Sequence, residues 1–206
     1  MKILLAALAL LTLAACGSES GATGTDPAGS SGDSTMPTSV PAADGPVRTR
    51  NLATVMDTGD PELCLGAVAE SYPPQCGGLP MAGWAWKDYD GVFDREGDIR
   101  WGMFAVSGTF DGTTFTVTDA IPAALYDPAM TEEPSYPAPA TGYPDAELEA
   151  ISETLGTDLP GAQGAYVTDG HVLVDVTYDD GSLQEWADEE YGGDVVIVTS
   201  ALVPVG

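Results

Sequence analysis

Residues 169–198 read DGHVLVDVTYDDGSLQEWADEEYGGDVVIV, and this stretch decides the fold class. Apolar residues alternate from Val172 to Tyr178, which predicts a strand with one buried face. Asp169-Gly170 immediately precedes it and is typical of a hairpin turn that needs positive φ. The sequence therefore predicts two antiparallel strands joined at this turn.

The rest of the stretch predicts a helix and a third strand. Ser182 and Glu185 match a capping box at the start of a helix, and Gly192-Gly193 would end that helix. Val195–Val198 is a continuous apolar run, as expected of a strand buried on both faces. A strand, a helix and a strand of these lengths predict a right-handed βαβ crossover.

A further helix is predicted before the hairpin, over Asp145–Leu155. Acidic residues occupy its first turn, where the helix dipole favours them, and Gly156 would stop it. Its apolar face consists of Leu148, Ile151 and Leu155. Residues 145–206 are thus predicted as a small α-β-β-α-β module with a mixed sheet.

The preceding segment, residues 47–126, is predicted as a mostly β module. Ile99–Val106 alternates as a strand, Asp111-Gly112 supplies a turn, and Thr113–Thr118 returns as the partner strand. Val47–Met56 predicts an earlier strand. Short strands of this kind suit a small barrel or a sandwich, so the fold class predicted for the whole chain is α+β.

Two segments have the composition of connections rather than of cores. Residues 127–144 contain five prolines and predict a stiff, extended connector. In residues 17–46, twenty of thirty positions are Gly, Ser, Thr or Pro and none is aromatic. Such a segment buries too little apolar surface to offset its ordering entropy, so residues 16–46 are predicted to be a flexible tether.

Residues 1–15 have the layout of a secretory signal peptide: a basic residue, an apolar run and small residues at the end. They lead into Leu13-Ala14-Ala15-Cys16, which resembles the lipobox of bacterial lipoproteins. The resemblance implies cleavage before Cys16, a diacylglycerol thioether on that cysteine, and anchoring at the extracytoplasmic face of the cell membrane. The alternative is an ordinary signal peptide whose boundary happens to contain a cysteine.

The charge of the chain narrows its partners. There are 32 acidic against 6 basic residues, and nineteen acids but no Lys or Arg follow Arg100. Nucleic acid is excluded as a natural partner because its binding depends on cationic side chains. The acidity indicates either solubility and compositional bias or a cationic ligand, peptide or metal.

Two cysteines remain after Cys16, namely Cys64 and Cys76. An even pair in a chain bound for an oxidising compartment predicts a disulfide, here across a proline-containing turn. The alternative, a redox or metal pair, lacks the close spacing and the second pair that such sites use.

Residues 88–98 contain closely spaced acids and glycines, which makes Asp88, Asp90 and Asp94 weak candidates for Ca²⁺ ligands. The segment departs from the EF-hand pattern, because Val92 stands where an acid is expected and the glycine comes too early. A solvated acidic loop is the favoured interpretation. The single histidine, His171, is expected on the surface beside its turn.

Several short motifs follow one another along the chain: the cysteine-bracketed segment with Pro61–Gly66 and Ser71–Cys76, then Arg100-Trp101-Gly102 and Gly108–Gly112, and finally Tyr191–Val205. Together they resemble a group of uncharacterised exported proteins and lipoproteins of actinobacteria, and the cysteine-bracketed segment is the distinctive part. The resemblance implies an actinobacterial envelope location and no particular activity.

These observations predict a lipid-anchored cell-envelope protein of a binding or structural-interaction type, whose ligand could be cationic, a protein or the cell wall. Catalytic residues and cofactors are not predicted, because no nucleophile motif, phosphate loop or zinc-ligand cluster occurs. Two alternatives stay open: a secreted hydrolase that uses a carboxylate pair, and a Ca²⁺-binding surface module.

Overall fold

Short strands dominate the structure, a computed structural model that describes residues 35–127 and 134–205. The strands are β1 Val47–Thr49, β2 Ala53–Asp57, β3 Pro61–Cys64, β4 Leu79–Ala82, β5 Asp94–Glu96, β6 Ile99–Phe110, β7 Phe115–Pro122, β8 Ala162–Thr168, β9 His171–Val176, β10 Val196–Ser200 and β11 Leu202–Pro204. The helices are α1 Asp145–Asp158 and α2 Ser182–Tyr191, with 3-10 turns at Trp86–Tyr89 and Ala123–Leu125. The predicted α+β fold class is confirmed.

Five strands of the first segment close into a barrel. The ring runs β2, β3, β4, β7, β6 and back to β2, and each pair is antiparallel except the parallel pair β4 and β7. The long strand β6 also pairs with β1 and β5 outside the ring. Inside, Phe104, Phe110 and Phe115 are fully buried. Their area removed from water is the main source of the barrel's stability.

The second sheet has the order β10-β9-β8. β8 and β9 form the predicted hairpin, with positive φ at both Asp169 and Gly170. β9 and β10 are parallel and are joined through α2, so the predicted βαβ connection is confirmed. The inward side chains of β9 and the apolar faces of α1 and α2 form one cluster, which places both helices on the same side of the sheet. No helix of the described residues covers the other side.

The C-terminal part of the chain also contributes to the barrel. β11 pairs with β1, and fully buried Leu202 belongs to the barrel's hydrophobic cluster together with Tyr178. The described residues belong to one compact unit. The last strand therefore lies in the barrel's sheet, although the sequence pattern grouped it with residues 145–206.

Three local predictions are corrected by the structure. α1 continues through Gly156 to Asp158; a Cβ on Gly156 would lie 3.3 Å from the Cβ of Ala165, so this glycine permits close helix-to-strand packing instead of ending the helix. The strand predicted over Val47–Met56 is two strands, because β6 pairs with β1 and β2 at different points along its length. Gly192 does end α2, with a positive φ.

The predicted capping box of α2 is the third correction. The N-cap residue is Gly181, which has no side chain, and Ser182 is already the first residue of the helix. Instead, Asp179 accepts hydrogen bonds from the backbone nitrogens of Leu183, at 2.9 Å, and Gln184, at 3.3 Å. A carboxylate satisfies the exposed N–H groups and also suits the positive end of the helix dipole.

Part of the predicted tether contacts the folded body. Met36 packs against the helix-and-sheet cluster, whereas Val40 and Ala43 pack against the barrel cluster. These three apolar contacts were not predicted, because the segment consists mostly of Gly, Ser, Thr and Pro. The predicted signal peptide, Cys16 and residues 17–34 of the predicted tether lie outside the described residues. Within the described residues, no helix is long and apolar enough to cross a membrane.

Candidate binding cleft on the three-stranded sheet

The predicted disulfide between Cys64 and Cys76 is present. It joins the end of β3 to the segment before β4 and closes a loop that lies against the outside of the barrel. Within this loop, the ring of Tyr72 meets Trp101 of β6 edge to face, with ring centroids 5.3 Å apart. The disulfide therefore constrains the loop that covers Trp101, which is a structural role.

The three candidate calcium ligands are exposed and occupy different elements. Asp88 lies in the 3-10 turn Trp86–Tyr89, Asp90 follows that turn, and Asp94 begins β5. Across residues 35–127 and 134–205, no group of three or more His, Cys, Asp or Glu side chains is placed to hold a metal ion. The described geometry thus offers no observation in favour of the calcium alternative.

His171 is buried, contrary to the expectation of a surface position. It is 5% exposed, its Nδ1 lies 2.6 Å from the carbonyl oxygen of Asp194, and the ring of Tyr136 lies across it. The periodicity of β9 explains this, because His171 shares a face with Leu173 and Asp175, opposite to the valines in the core. That face is covered at one end by residues of the proline-rich connector.

The helix-free face of the three-stranded sheet forms the floor of a cleft of about 600 Å³. In the register, Leu173 of β9 lies between Tyr166 of β8 and Ile197 of β10, and Asp175 lies beside Thr199. One wall is Tyr136 of the connector, and the rim contains Arg50, from the loop between β1 and β2. A cleft of this size matches the volumes that small-molecule sites usually have.

Asp175 is the polar group that distinguishes this cleft. Its burial raises the pKa of the carboxyl, an effect partly opposed by the positive charge of Arg50. Within the described residues, the carboxylate accepts no hydrogen bond, and no nitrogen of Arg50 lies within 4.0 Å of it. Partial removal from water disfavours the charged form of a carboxylate, so a hydrogen-bond donor brought into the cleft would be favoured beside Asp175.

Arg50 is held at the rim by the chain around β10 and β11. Its Nε donates to the carbonyl oxygen of Ser200 at 2.7 Å, and its backbone nitrogen donates to that of Ala201 at 2.8 Å. Within the part of the chain that the structure describes, the terminal guanidinium nitrogens have no hydrogen-bond partner. Arg50 therefore keeps donors available to a molecule in the cleft.

Tyrosines border the apolar floor of the cleft. Tyr166 is 51% exposed, and burial together with the nearby Asp175 and Tyr136 raises the pKa of its hydroxyl. Leu173, in contrast, is 6% exposed. Two tyrosine rings and an aliphatic floor next to a free carboxylate combine an apolar surface with a polar anchor, which is the usual composition of ligand sites.

The other conspicuous charged group is part of the barrel's packing. Asp57 is 3% exposed and accepts hydrogen bonds from Nε1 of Trp86 and Nη2 of Arg100, each at 2.7 Å, and from the backbone of Gly59. Its oxygens are thus already paired, so Asp57 is a structural residue rather than a binding group.

Neither Asp175 nor Arg50 was identified from the sequence. Alternation in β9 could have indicated that Asp175 shares the outer face with His171 and Leu173, opposite to the buried valines. The approach of Arg50 depends on the pairing of β11 with β1, which is long-range. This chain matches no known family model, no curated protein and no solved structure.

Proposed function

We propose that this protein is a lipid-anchored cell-envelope binding protein that holds a small molecule in the cleft on the three-stranded sheet. The observation that carries the proposal is the half-buried carboxylate of Asp175, which lacks a hydrogen bond within the described residues and faces a cleft of about 600 Å³. A ligand donor would satisfy this carboxylate, and the tyrosines would cover an apolar portion of the ligand.

The anchor is proposed from the lipobox. Acyl chains on Cys16 would hold the protein at the outer face of the cell membrane, since each buried CH₂ contributes about 0.8 kcal/mol. Met36 and Val40 pack against the folded body, which supports a tether that ends before residue 36 and spans residues 17–35.

The rival hydrolase has less support at this cleft. A carboxylate-pair mechanism needs two acids flanking one bond. Among the described residues that line the cleft, the single acid is Asp175. Binding therefore describes the cleft better than hydrolysis.

Metabolic labelling with palmitate tests the anchor. Wild-type protein should carry the label and remain with the membrane fraction, whereas Cys16→Ser should be unlabelled and be released or remain uncleaved. Cys64→Ser, which alters a cysteine assigned to the disulfide, should still be labelled. Absence of label on the wild type contradicts the lipoprotein proposal.

A thermal-shift experiment tests the cleft. The full chain is heated with free amino acids, with monosaccharides and with linear polyamines, and Thr199→Phe is the cleft-filling control. At least one class should raise the melting temperature of the wild type and leave that of Thr199→Phe unchanged. If none of the classes stabilises the wild type, or if both proteins respond equally, the proposed site is wrong.

A further inference from the structure

The sheet cleft presents two opposite charges that are not in contact with each other. Asp175 and Arg50 both line it, yet none of their charged atoms approach within 4.0 Å. Each retains hydrogen-bonding capacity within the described residues: the whole carboxylate of Asp175 and the terminal nitrogens of Arg50. Two unpaired charges at one site can be satisfied together by a molecule that carries both complementary charges.

The surface next to these charges, on the side of Asp175 away from Arg50, is apolar. Leu173 and Ile197 are neighbours across β9 and β10 and form the floor, and Tyr166 stands beside Leu173 on β8. Tyr136 lines the same cleft from the connector. An aliphatic or aromatic group placed here would lose water contact on several sides, which favours binding in proportion to the apolar area covered.

From this arrangement, and resting on the proposed function, we propose that the cleft binds a small zwitterion with an apolar side chain, as in a free amino acid or a dipeptide. The ligand's ammonium donates to the carboxylate of Asp175, its carboxylate accepts from the guanidinium of Arg50, and its side chain lies on Leu173 and Ile197 between the two tyrosines. The volume of about 600 Å³ accommodates such a molecule.

The two charges of the cleft should favour a zwitterion over a monosaccharide or a polyamine. A monosaccharide could stack on a tyrosine but would leave both charges without a counter-charge. A polyamine would pair with Asp175 but would place positive charge near Arg50. A zwitterion avoids both costs, because its ammonium faces Asp175 and its carboxylate faces Arg50.

Calorimetric titration of the full chain tests the inference with L-leucine, N-acetyl-L-leucine and L-leucinamide. The second probe lacks the ammonium and the third lacks the carboxylate. L-leucine should bind at least about tenfold more tightly than either derivative, since each derivative loses one charge-assisted hydrogen bond.

Two variants connect the selectivity to the residues. Asp175→Asn should weaken L-leucine binding about tenfold or more and abolish the preference over N-acetyl-L-leucine, whereas Arg50→Gln should abolish the preference over L-leucinamide. Asp60→Asn, an exposed position outside the cleft, should bind like the wild type. Circular dichroism of each variant, compared with the wild type, establishes that it is folded.

The outcomes separate the two proposals. If monosaccharides or polyamines stabilise the wild type but not Thr199→Phe, and L-leucine gives no binding heat, the cleft is a binding site and the zwitterion inference is wrong. If L-leucine binds but Asp175→Asn retains the full affinity and preference, the inference is also wrong. If no probe class binds, the proposed function itself is overturned.

Discussion

At the scale of single residues, the cost of burying Asp175 should appear as a pH dependence of stability. The pKa of its carboxyl is raised above the value of 3.8 that it has when unfolded. Its favourable contribution is therefore present below the unfolded pKa and is lost as pH rises through the folded pKa. Asp175→Asn, which stays neutral, should gain stability relative to the wild type over that rise.

Urea unfolding of ligand-free protein between acid and neutral pH measures this difference. Asp111 provides a control of opposite sign, because backbone hydrogen bonds from Thr114 and Thr113 lower the pKa of its carboxyl. The contribution of Asp111 is present above its unfolded pKa and is lost as pH falls through the folded value, so Asp111→Asn should be the less stable protein at neutral pH. A pH-independent difference for Asp175→Asn contradicts the account of the cleft.

The buried carboxylate inside the barrel should behave differently from an exposed one. Asp57→Asn leaves Arg100 without its counter-charge and replaces one acceptor oxygen by an NH₂ group, which cannot accept from Trp86 or Arg100. The variant should therefore lower the free energy of unfolding by about 2 kcal/mol. Asp98→Asn removes the exposed ion pair with Arg95 and should cause no measurable change. Denaturation followed by tryptophan fluorescence checks both variants; equal effects would show that the Asp57 network is not stabilising.

At the scale of elements, the start of α2 allows the predicted capping box to be compared with the cap that the structure contains. Asp179 accepts the backbone hydrogen bonds, so Asp179→Ala should cost about 1 kcal/mol of stability. Glu185→Ala, which removes the acid of the predicted capping box, should cost well under half as much. Urea unfolding of the two variants measures both losses of stability. A larger loss for Glu185→Ala than for Asp179→Ala would show that the capping box, and not Asp179, stabilises the start of α2.

Sequence patterns predicted elements well where the signal was local. The Asp169-Gly170 turn, the valine alternation of β9 and the apolar face of α1 depend on neighbours within a few residues, and all three were confirmed. Gly156 misled because a glycine can either end a helix or permit close packing, and the partner Ala165 determines which. The cleft was not predictable, because strand pairings between distant parts of the chain bring Arg50 and Asp175 to the same cleft.

At the scale of the whole molecule, the C-terminal strand should couple the barrel to the helix-bearing sheet. β11 pairs with β1, and Leu202 is fully buried in the barrel cluster. Leu202→Ala should therefore destabilise the fold by about 3 kcal/mol. Val203→Ala, a half-buried neighbour in the same strand, should cost less.

The same coupling predicts cooperative unfolding of residues 35–205. Fluorescence, to which Trp84 and Trp86 of the barrel contribute, should change at the same urea concentration as far-UV circular dichroism, to which α1 and α2 contribute. Separate transitions would indicate that the barrel and the helix-bearing sheet unfold independently and that β11 does not link them.

Binding of a small molecule at the open face of the three-stranded sheet, as proposed, should change the amide resonances of that face. Amide chemical-shift mapping of the full chain during titration with L-leucine measures this. The account predicts that the largest shifts occur at Leu173, Asp175 and Thr199, with a further shift at Arg50, and that Thr199→Phe abolishes them. Shifts confined to the Tyr72 and Trp101 side of the barrel, or no shifts at saturating L-leucine, would contradict it.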